Sequence, residues 1–279
     1  MNPQKTYPIV LSVAGSDSSG GAGIQADLKT FSALGVYGAT AITAITAQNT
    51  QGVFSQQALS PQMVYEQITA VVDDLSPTVV KIGMLSNVEI VHAVANALGQ
   101  YSLTIILDPV MVSSSGHRLL SLEGQDALKE KLLPMATLIT PNIPEMEALS
   151  QMSLLSFEEK EKAAHYLFEC GAKAILLKGG HEEGDTKTDI LYSIHDGEIR
   201  FDTFSSDTIH TKNIHGTGCT LSSAIAAFIA RGYHLPKAIA DAKCYVAEAI
   251  RAGADMKIGH GFGPVNHGFN PLKMTINED

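Results

Sequence analysis

Apolar runs and helix-spaced apolar positions alternate along this chain from its first residues to about residue 252. Six stretches read as strands: IVLSVA at 9–14, ATAITAITA at 39–47, TVVKIG at 78–83, TIILDPV at 104–110, TLIT at 137–140 and AILLKG at 174–179. Most are continuously apolar and rich in Val, Ile and Thr, as strands covered on both faces should be. Between them the period lengthens. Behind the start signal Ser60-Pro61, residues Val64, Ile68, Val71, Val72 and Leu75 recur at helical spacing. Ser86 with Glu89, and Ser156 with Glu159, have capping-box spacing and predict two further helix starts. Two late helices are predicted near 217–231 and 236–252. Segments 188–194 and 198–204 flank Asp196-Gly197, a two-residue hairpin signal expected at a sheet edge. No repeat, low-complexity tract or linker interrupts the series, so one domain over 1–279 is expected. The fold class is α/β, a doubly wound and mostly parallel sheet flanked by helices, with ligands near the C-terminal strand ends.

Composition sets the scale and removes several classes. With 279 residues, 45% apolar and 17% charged, the chain can bury a sizeable core. No apolar run approaches the roughly 20 residues of a membrane span, so no membrane partner is expected. The opening MNPQKTYPIV lacks the parts of a signal peptide, and a cytoplasmic location is expected. Cys170, Cys219 and Cys244 are odd in number and lack CxxC spacing, which argues against a disulfide framework or a zinc site. The net charge of −10 argues against general nucleic-acid binding, because phosphate backbones are held by clustered Lys and Arg. A single phosphate ligand needs only a few donors and stays open. His210, His215, His260 and His267 show no HExxH or comparable spacing; His215 and His267 are expected in loops near the site.

Two segments look chemical rather than architectural. AGSDSSGGAG, from Ala14 to Gly23, follows the first predicted strand, and HGTGCT, from His215 to Thr220, opens a predicted helix. Glycine lets backbone N–H groups approach a ligand closely, and a helix N-terminus adds positive potential. Successive amides can then cradle an anion, including one that develops in a transition state. A lone segment of this kind reads more readily as a tight turn. Two of them, each able to border the same crevice, shift the balance toward a cradle. Neither a P-loop GxxxxGK pattern nor GxGxxG occurs, so those nucleotide readings lose their main support.

Eight segments carry a resemblance: AGSDSSGGAGIQADLKTFSALGVYG, ITAQNTQGV, VKIGML, LDPVM, TPNIPE, LKGGH, NIHGTGCTLSSAIAA and GFGPVNH, running from residue 14 to residue 267. In sequence and order they resemble the ribokinase-like superfamily, and within it the hydroxymethylpyrimidine/phosphomethylpyrimidine kinases of thiamine biosynthesis. The resemblance implies a ribokinase-like fold, a homodimer and a two-step kinase. Its substrates would be 4-amino-5-hydroxymethyl-2-methylpyrimidine and then the monophosphate, each phosphorylated by ATP with Mg2+.

The resemblance also implies roles. Gly216, Thr217, Gly218 and Cys219 would present amides to the transferring phosphate. Cys219 stands where most of the superfamily carries Asp as the base for the accepting hydroxyl. A free thiol has a pKa near ~8.5, which a helix N-terminus lowers toward neutrality. Cys219 then acts as base or sits beside the hydroxyl; by residue type alone it also reads as a small buried apolar group. Gly15, Asp27, Gln48, Met84 and Val110 are implied at the pyrimidine. Asp27 and Gln48 would hydrogen-bond its amino group and ring nitrogens, Met84 would pack on the ring, Gly15 would bring backbone to the ring edge, and Val110 would line the same pocket. Taken alone, Asp27 reads as a surface helix residue, Gln48 as a loop polar group and Met84 as core. Asp108, at a strand end, is implied to hold magnesium directly or through water, with Asn142 and Glu145 supporting metal and phosphate. TPN equally reads as an ordinary helix cap. Lys178 is implied at a phosphate, and Thr211 and Lys212 at the nucleotide; a lone Lys is otherwise a solvated surface group. Cys170 and Cys244 fall in helical patterns and are expected in the core.

Three other functions compete. A pyridoxine-type vitamin kinase would use the same scaffold on another hydroxymethyl heterocycle, but Ala47-Gln48-Asn49-Thr50 supplies an amide suited to an aminopyrimidine edge. A non-catalytic vitamin-binding protein would not need Asp108, Asn142 and Glu145 beside an intact GTGC loop. A sugar kinase is weakened by Cys219 in place of Asp and by the lack of a clear lid insertion near the N-terminus.

Overall fold

The computed structural model describes residues 5–113, 116–180 and 184–278; His181, which ends the LKGGH segment, lies outside them. The chain runs through β1 (Lys5–Thr6), β2 (Ile9–Asp17), α1 (Gly23–Ala33), β3 (Tyr37–Asn49), β4 (Gly52–Ala58), α2 (Pro61–Leu75) and β5 (Val79–Ile82). It continues with α3 (Val88–Leu98), β6 (Thr104–Leu107), α4 (Leu122–Ala127), β7 (Leu138–Ile139), α5 (Ile143–Ser150) and α6 (Phe157–Glu169). The last elements are β8 (Ala174–Leu177), β9 (Thr186–His195), β10 (Glu198–Asp207), α7 (Thr217–Ala230), α8 (Leu235–Gly253) and β11 (Asn277–Glu278).

β1 and β11 form a separate two-stranded ribbon, and the other strands form one sheet in the order β10-β9-β8-β7-β6-β5-β2-β3-β4. Pairing is parallel from β3 through to β8 and antiparallel at β3–β4, β8–β9 and β9–β10. This is the doubly wound sheet expected from the pattern. Alternate strand residues enter opposite apolar layers. Leu11, Val13, Ile105, Leu107, Ile175 and Leu177 join the layer covered by α2, α3, α5 and α6. Val10, Ile106, Ala174 and Leu176 join the layer covered by α1, α7 and α8. Burial of both faces is why these strands read as unbroken apolar runs.

Helix starts follow local chemistry. Ser60 caps α2 ahead of Pro61, and Ser156 with Glu159 closes the reciprocal box on α6. At α3 the expected Ser86–Glu89 box does not form. The cap is Asn87, one residue later, accepting from the Ile90 N–H at 3.0 Å, because asparagine competes at least as well as serine for that role. Asp196 and Gly197 take φ of 53° and 82°, and the hairpin they close forms one sheet edge. The opposite edge, β4, was not expected. Its GVFSQQA is half exposed, pairs with one strand only and carries little apolar signal. Cys170 packs half-buried against the core, but Cys244 is exposed on α8, off the stripe of Ala238, Ala242, Tyr245 and Ala249, which corrects its core placement.

Two register shifts interrupt the sheet, between Ala14 and Ser16 of β2 and between Ala47 and Gln48 of β3. Such bulges re-aim the residues they carry, here Gly15 and Gln48. Among the described residues no helix is long and apolar enough to cross a membrane.

Candidate active site

The carboxyl ends of the parallel strands open into a cavity of about 850 Å³, where a doubly wound sheet places its ligands. Part of its wall is the N-terminus of α7. Gly216, the N-cap, has φ 82°, and a Cβ there would overlap the carbonyl oxygen of Gly21. Only glycine takes this left-handed position against another backbone. The Thr217 N–H is committed to Ile214 O at 3.2 Å and the Thr220 N–H to Gly216 O at 2.8 Å. The helix start therefore offers an anion the amides of Gly218 and Cys219, with the helix dipole behind them.

Lys178, just past β8, stands beside this cradle: a Cβ on Gly218 would lie 3.5 Å from its Nζ. Its Nζ is 2.8 Å from Asp108 Oδ1 and 3.5 Å from Glu145 Oε2. Burial disfavours the lysine charge, but Asp108 and Glu145 outweigh it and hold Lys178 above the ordinary lysine range. Asp108, past β6, also accepts from the Thr140 and Ser222 hydroxyls, each at 3.2 Å. Burial opposes its ionisation, yet Lys178 and Lys81 keep its carboxyl below the usual range. Glu145 goes the other way: burial pushes it up to about 6, with Lys178 opposing and Asp108 adding. Asn142 and Glu145 form a capping box on α5, with bonds of 2.7 and 2.8 Å, while both line the cavity. The cap and the site are the same residues.

Cys219 lies half-buried on the cavity wall. Burial pushes its thiol up to about 11; Lys81 pulls against this, and Asp27 and Asp108 add to it. The expected drop toward neutrality is therefore reversed, because lost hydration and two carboxylates outweigh the helix terminus. At neutral pH the group is a thiol.

Elsewhere on the cavity wall, Gly15 faces Met84: a Cβ at 15 would sit 2.7 Å from the thioether sulfur, so a larger residue there would displace the Met84 side chain. Val110 lies partly buried in the same small cluster with Ala44 and Leu119. Gln48, re-aimed by its bulge, places its amide nitrogen 3.3 Å from His215 Nε2 and its oxygen 3.2 Å from Thr46 Oγ1. Asp17 ties the two glycine-rich turns together. It accepts from the Ser19 N–H and hydroxyl, from the Gly21 and Ala22 N–H groups, and lies 2.9 Å from His215 Nε2. Burial opposes that charge, but hydrogen bonds from His215 and Ser19 hold Asp17 at about 2.

The family model described as phosphomethylpyrimidine kinase matches residues 17–266. The chain belongs to the phosphomethylpyrimidine kinase family. A hydroxymethylpyrimidine/phosphomethylpyrimidine kinase of Rhizobium meliloti is 48% identical over 260 residues, 93% of this chain and 96% of the relative. The crystal structure of a phosphomethylpyrimidine kinase from Clostridium difficile matches with TM-score 0.74 and 42% identity, covering 87% of this chain and 99% of that one. A pyridoxal kinase of Staphylococcus aureus, solved in complex with AMP-PCP and pyridoxal, matches with TM-score 0.84 and 32% identity, over 98% and 100% of the two chains. The fold of this phosphomethylpyrimidine kinase family member is thus ribokinase-like, as the motifs implied.

For this family member the structure brings Gly15, Gln48, Met84, Val110, Asp108, Asn142, Glu145, Lys178 and Gly216 to Cys219 around one cavity. Three implied site residues lie elsewhere. Asp27 is fully buried outside the cavity wall, its carboxylate taken by Lys81 Nζ at 2.9 and 3.0 Å and by the Ser12 and Ser223 hydroxyls at 2.6 Å each. Both of its oxygens are thereby engaged by protein donors. Thr211 donates to Ala254 O at 2.9 Å, just past α8, and Lys212 is exposed; neither residue lines the cavity. Sequence reasoning missed Asp17 and Lys81. A lysine inside the wholly buried VVKI strand was the available signal for the second, since buried lysines are kept only with a partner.

Proposed function

We propose that this protein phosphorylates the hydroxymethyl group of 4-amino-5-hydroxymethyl-2-methylpyrimidine and then the resulting monophosphate, as the names of its relatives describe for them. ATP is the phosphoryl donor of this kinase family. The observation that carries the reading is that one cavity wall holds both sets of groups: the α7 cradle with Lys178, and the Gln48 amide with the Met84 thioether. In the first step the acceptor hydroxyl oxygen bonds to the γ-phosphorus, the bond to the β,γ-bridging oxygen breaks, ADP leaves, and the hydroxyl proton is released. In the second, a phosphate oxygen of the monophosphate takes the hydroxyl's place. Charge on the transferring group is met by the Gly218 and Cys219 amides and by Lys178. Cys219, as a thiol, aligns the acceptor by hydrogen bonding instead of removing its proton as a thiolate.

Magnesium fits this site in one way. Among the described residues no group of three or more His, Cys, Asp and Glu side chains forms a cage. Mg2+ prefers few carboxylates with water and phosphate, and Asp108 with Glu145, already bridged by Lys178, suit such an outer role. When bound, the ion neutralises phosphate charge. The homodimer implied by the family resemblance belongs to the same reading and is measured by sedimentation.

Incubation with Mg-ATP and the aminopyrimidine should yield the monophosphate and then the diphosphate. Pyridoxal run in parallel should be turned over with much lower kcat/KM; equal or greater efficiency would transfer the function to pyridoxal. The thiol assignment has its own check. Alkylation of Cys219, followed on its own peptide, should accelerate about tenfold per pH unit from about pH 7 to about pH 10, because the thiolate fraction grows until the pKa is reached. A plateau below about pH 8 would restore the thiolate base. Cys219→Ala should cost kcat about tenfold, short of the ~10²–10⁴ expected for loss of a general base, with ATP binding intact.

A further inference from the structure

The carboxamide of Gln48 has two ends of equal shape and opposite hydrogen bonding, and its neighbours decide which end faces which way. Asp17, ionised and fully engaged as an acceptor, lies 2.9 Å from His215 Nε2. In either charge state of the imidazole, that nitrogen must then carry a hydrogen directed at Asp17. An N–H from Gln48, brought to 3.3 Å of the same nitrogen, would find no lone pair there. The amide oxygen would share the imidazole hydrogen instead. The other end makes the same demand. Thr46 Oγ1 donates to Ser16 O at 2.9 Å, so toward Gln48, 3.2 Å away, it can only accept. That suits an amide N–H.

We infer that Asp17 and His215 are positioning residues that fix Gln48 with its oxygen toward the imidazole and its nitrogen toward Thr46, setting the ring specificity of the site. In that orientation one N–H and one oxygen lone pair remain side by side for a ligand. A 4-aminopyrimidine edge, with a ring nitrogen acceptor next to an amino donor, is their complement. In pyridoxal the ring nitrogen and the hydroxyl are not adjacent, and no such edge exists. The inference rests on the aminopyrimidine reading above. It also explains the position of His215 in the chain: its ring reaches Gln48 while the next residue, Gly216, begins the phosphate cradle. Its own N–H is pinned to Gly263 O at 3.0 Å, so the ring and the cradle share one anchored segment.

The test is a double-mutant cycle on the full-length protein, with KM for the aminopyrimidine and for ATP read separately. His215→Leu should raise the aminopyrimidine KM about tenfold or more, by leaving the half-buried carboxamide of Gln48 misdirected, with ATP KM changed less than about twofold. His215→Gln, which restores an N–H near the Nε2 position, should recover most of the loss. In a Gln48→Leu background the added His215→Leu should change that KM less than about twofold, because the residue acts through Gln48. Additive losses, or equal effects of Leu and Gln at 215, would overturn the inference. Should the leucine variant fail to fold, the imidazole 15N spectrum of the wild type decides: Nε2 must carry a proton, and an unprotonated Nε2 overturns the assignment. A wild type that forms no pyrimidine phosphate defeats the underlying aminopyrimidine reading before any variant is made.

Discussion

Lys178→Met is expected to lower kcat about 10²- to 10³-fold for both acceptors, the loss that follows removal of one preorganised charge partner at a transferring group. The lysine is fixed before any ligand arrives: Asp108 at 2.8 Å and Glu145 at 3.5 Å hold its ammonium against the start of α7. Fixed charge in a water-poor site is screened little and needs no reorganisation during transfer. In a loose phosphoryl transition state, where charge spreads over three equatorial oxygens, such groups do most of the work. The substitution also strips Asp108 of its cation, and the folded state should weaken, so single-turnover rates belong well below the melting temperature, beside ATP affinity from calorimetry. A kcat loss under about fivefold, with ATP affinity unchanged, would remove Lys178 from the transfer step.

Asp27→Leu is expected to destabilise the fold by about 3–5 kcal/mol, the cost of leaving a buried cation without its partner. Lys81 and Asp27 are both fully buried. Burial disfavours the Lys81 charge, and Asp27 is the main reason it persists above the ordinary lysine range. The pair joins α1 to β5, while Ser12 and Ser223 extend the same carboxylate to β2 and α7. Adding Lys81→Met to Asp27→Leu should recover much of the loss, leaving two serine hydroxyls to find new partners. Urea unfolding of the two single variants and the double variant measures this. A double variant no more stable than Asp27→Leu would mean that the ion pair is not the source. The double variant also decides the role of Asp27. If the residue only braces the fold, the aminopyrimidine KM stays within about threefold; a rise beyond about tenfold would return Asp27 to the ring.

These effects separate residues whose place was legible in the chain from those whose place was not. Period-two and period-3.6 patterns, proline and serine starts and the Asp196-Gly197 turn act over a few residues, so the parallel strands, most helices and the edge hairpin could be read directly. The cradle was legible for the same reason. Glycines at 216 and 218, at a helix start, report a local backbone need. The family resemblance implied Asp108, Asn142 and Lys178 at one site, and the sheet order brings them there from the adjacent strands β6, β7 and β8.

By itself, then, the sequence determined the α/β class, the glycine turns and the family to which the chain belongs, all of them properties of short segments or of their order. Only the tertiary structure decided what the charged groups do. Asp27 and Lys81 are 54 positions apart, and Asp17 and His215 are 198 apart. Whether a carboxylate meets a ring, a solvent shell or a buried lysine depends on the packing of distant strands. The Cys219 thiol shows the same division. Its helix start, visible in the sequence, argued for a lowered pKa; burial and the carboxylates around it, present only in the folded chain, push it up to about 11.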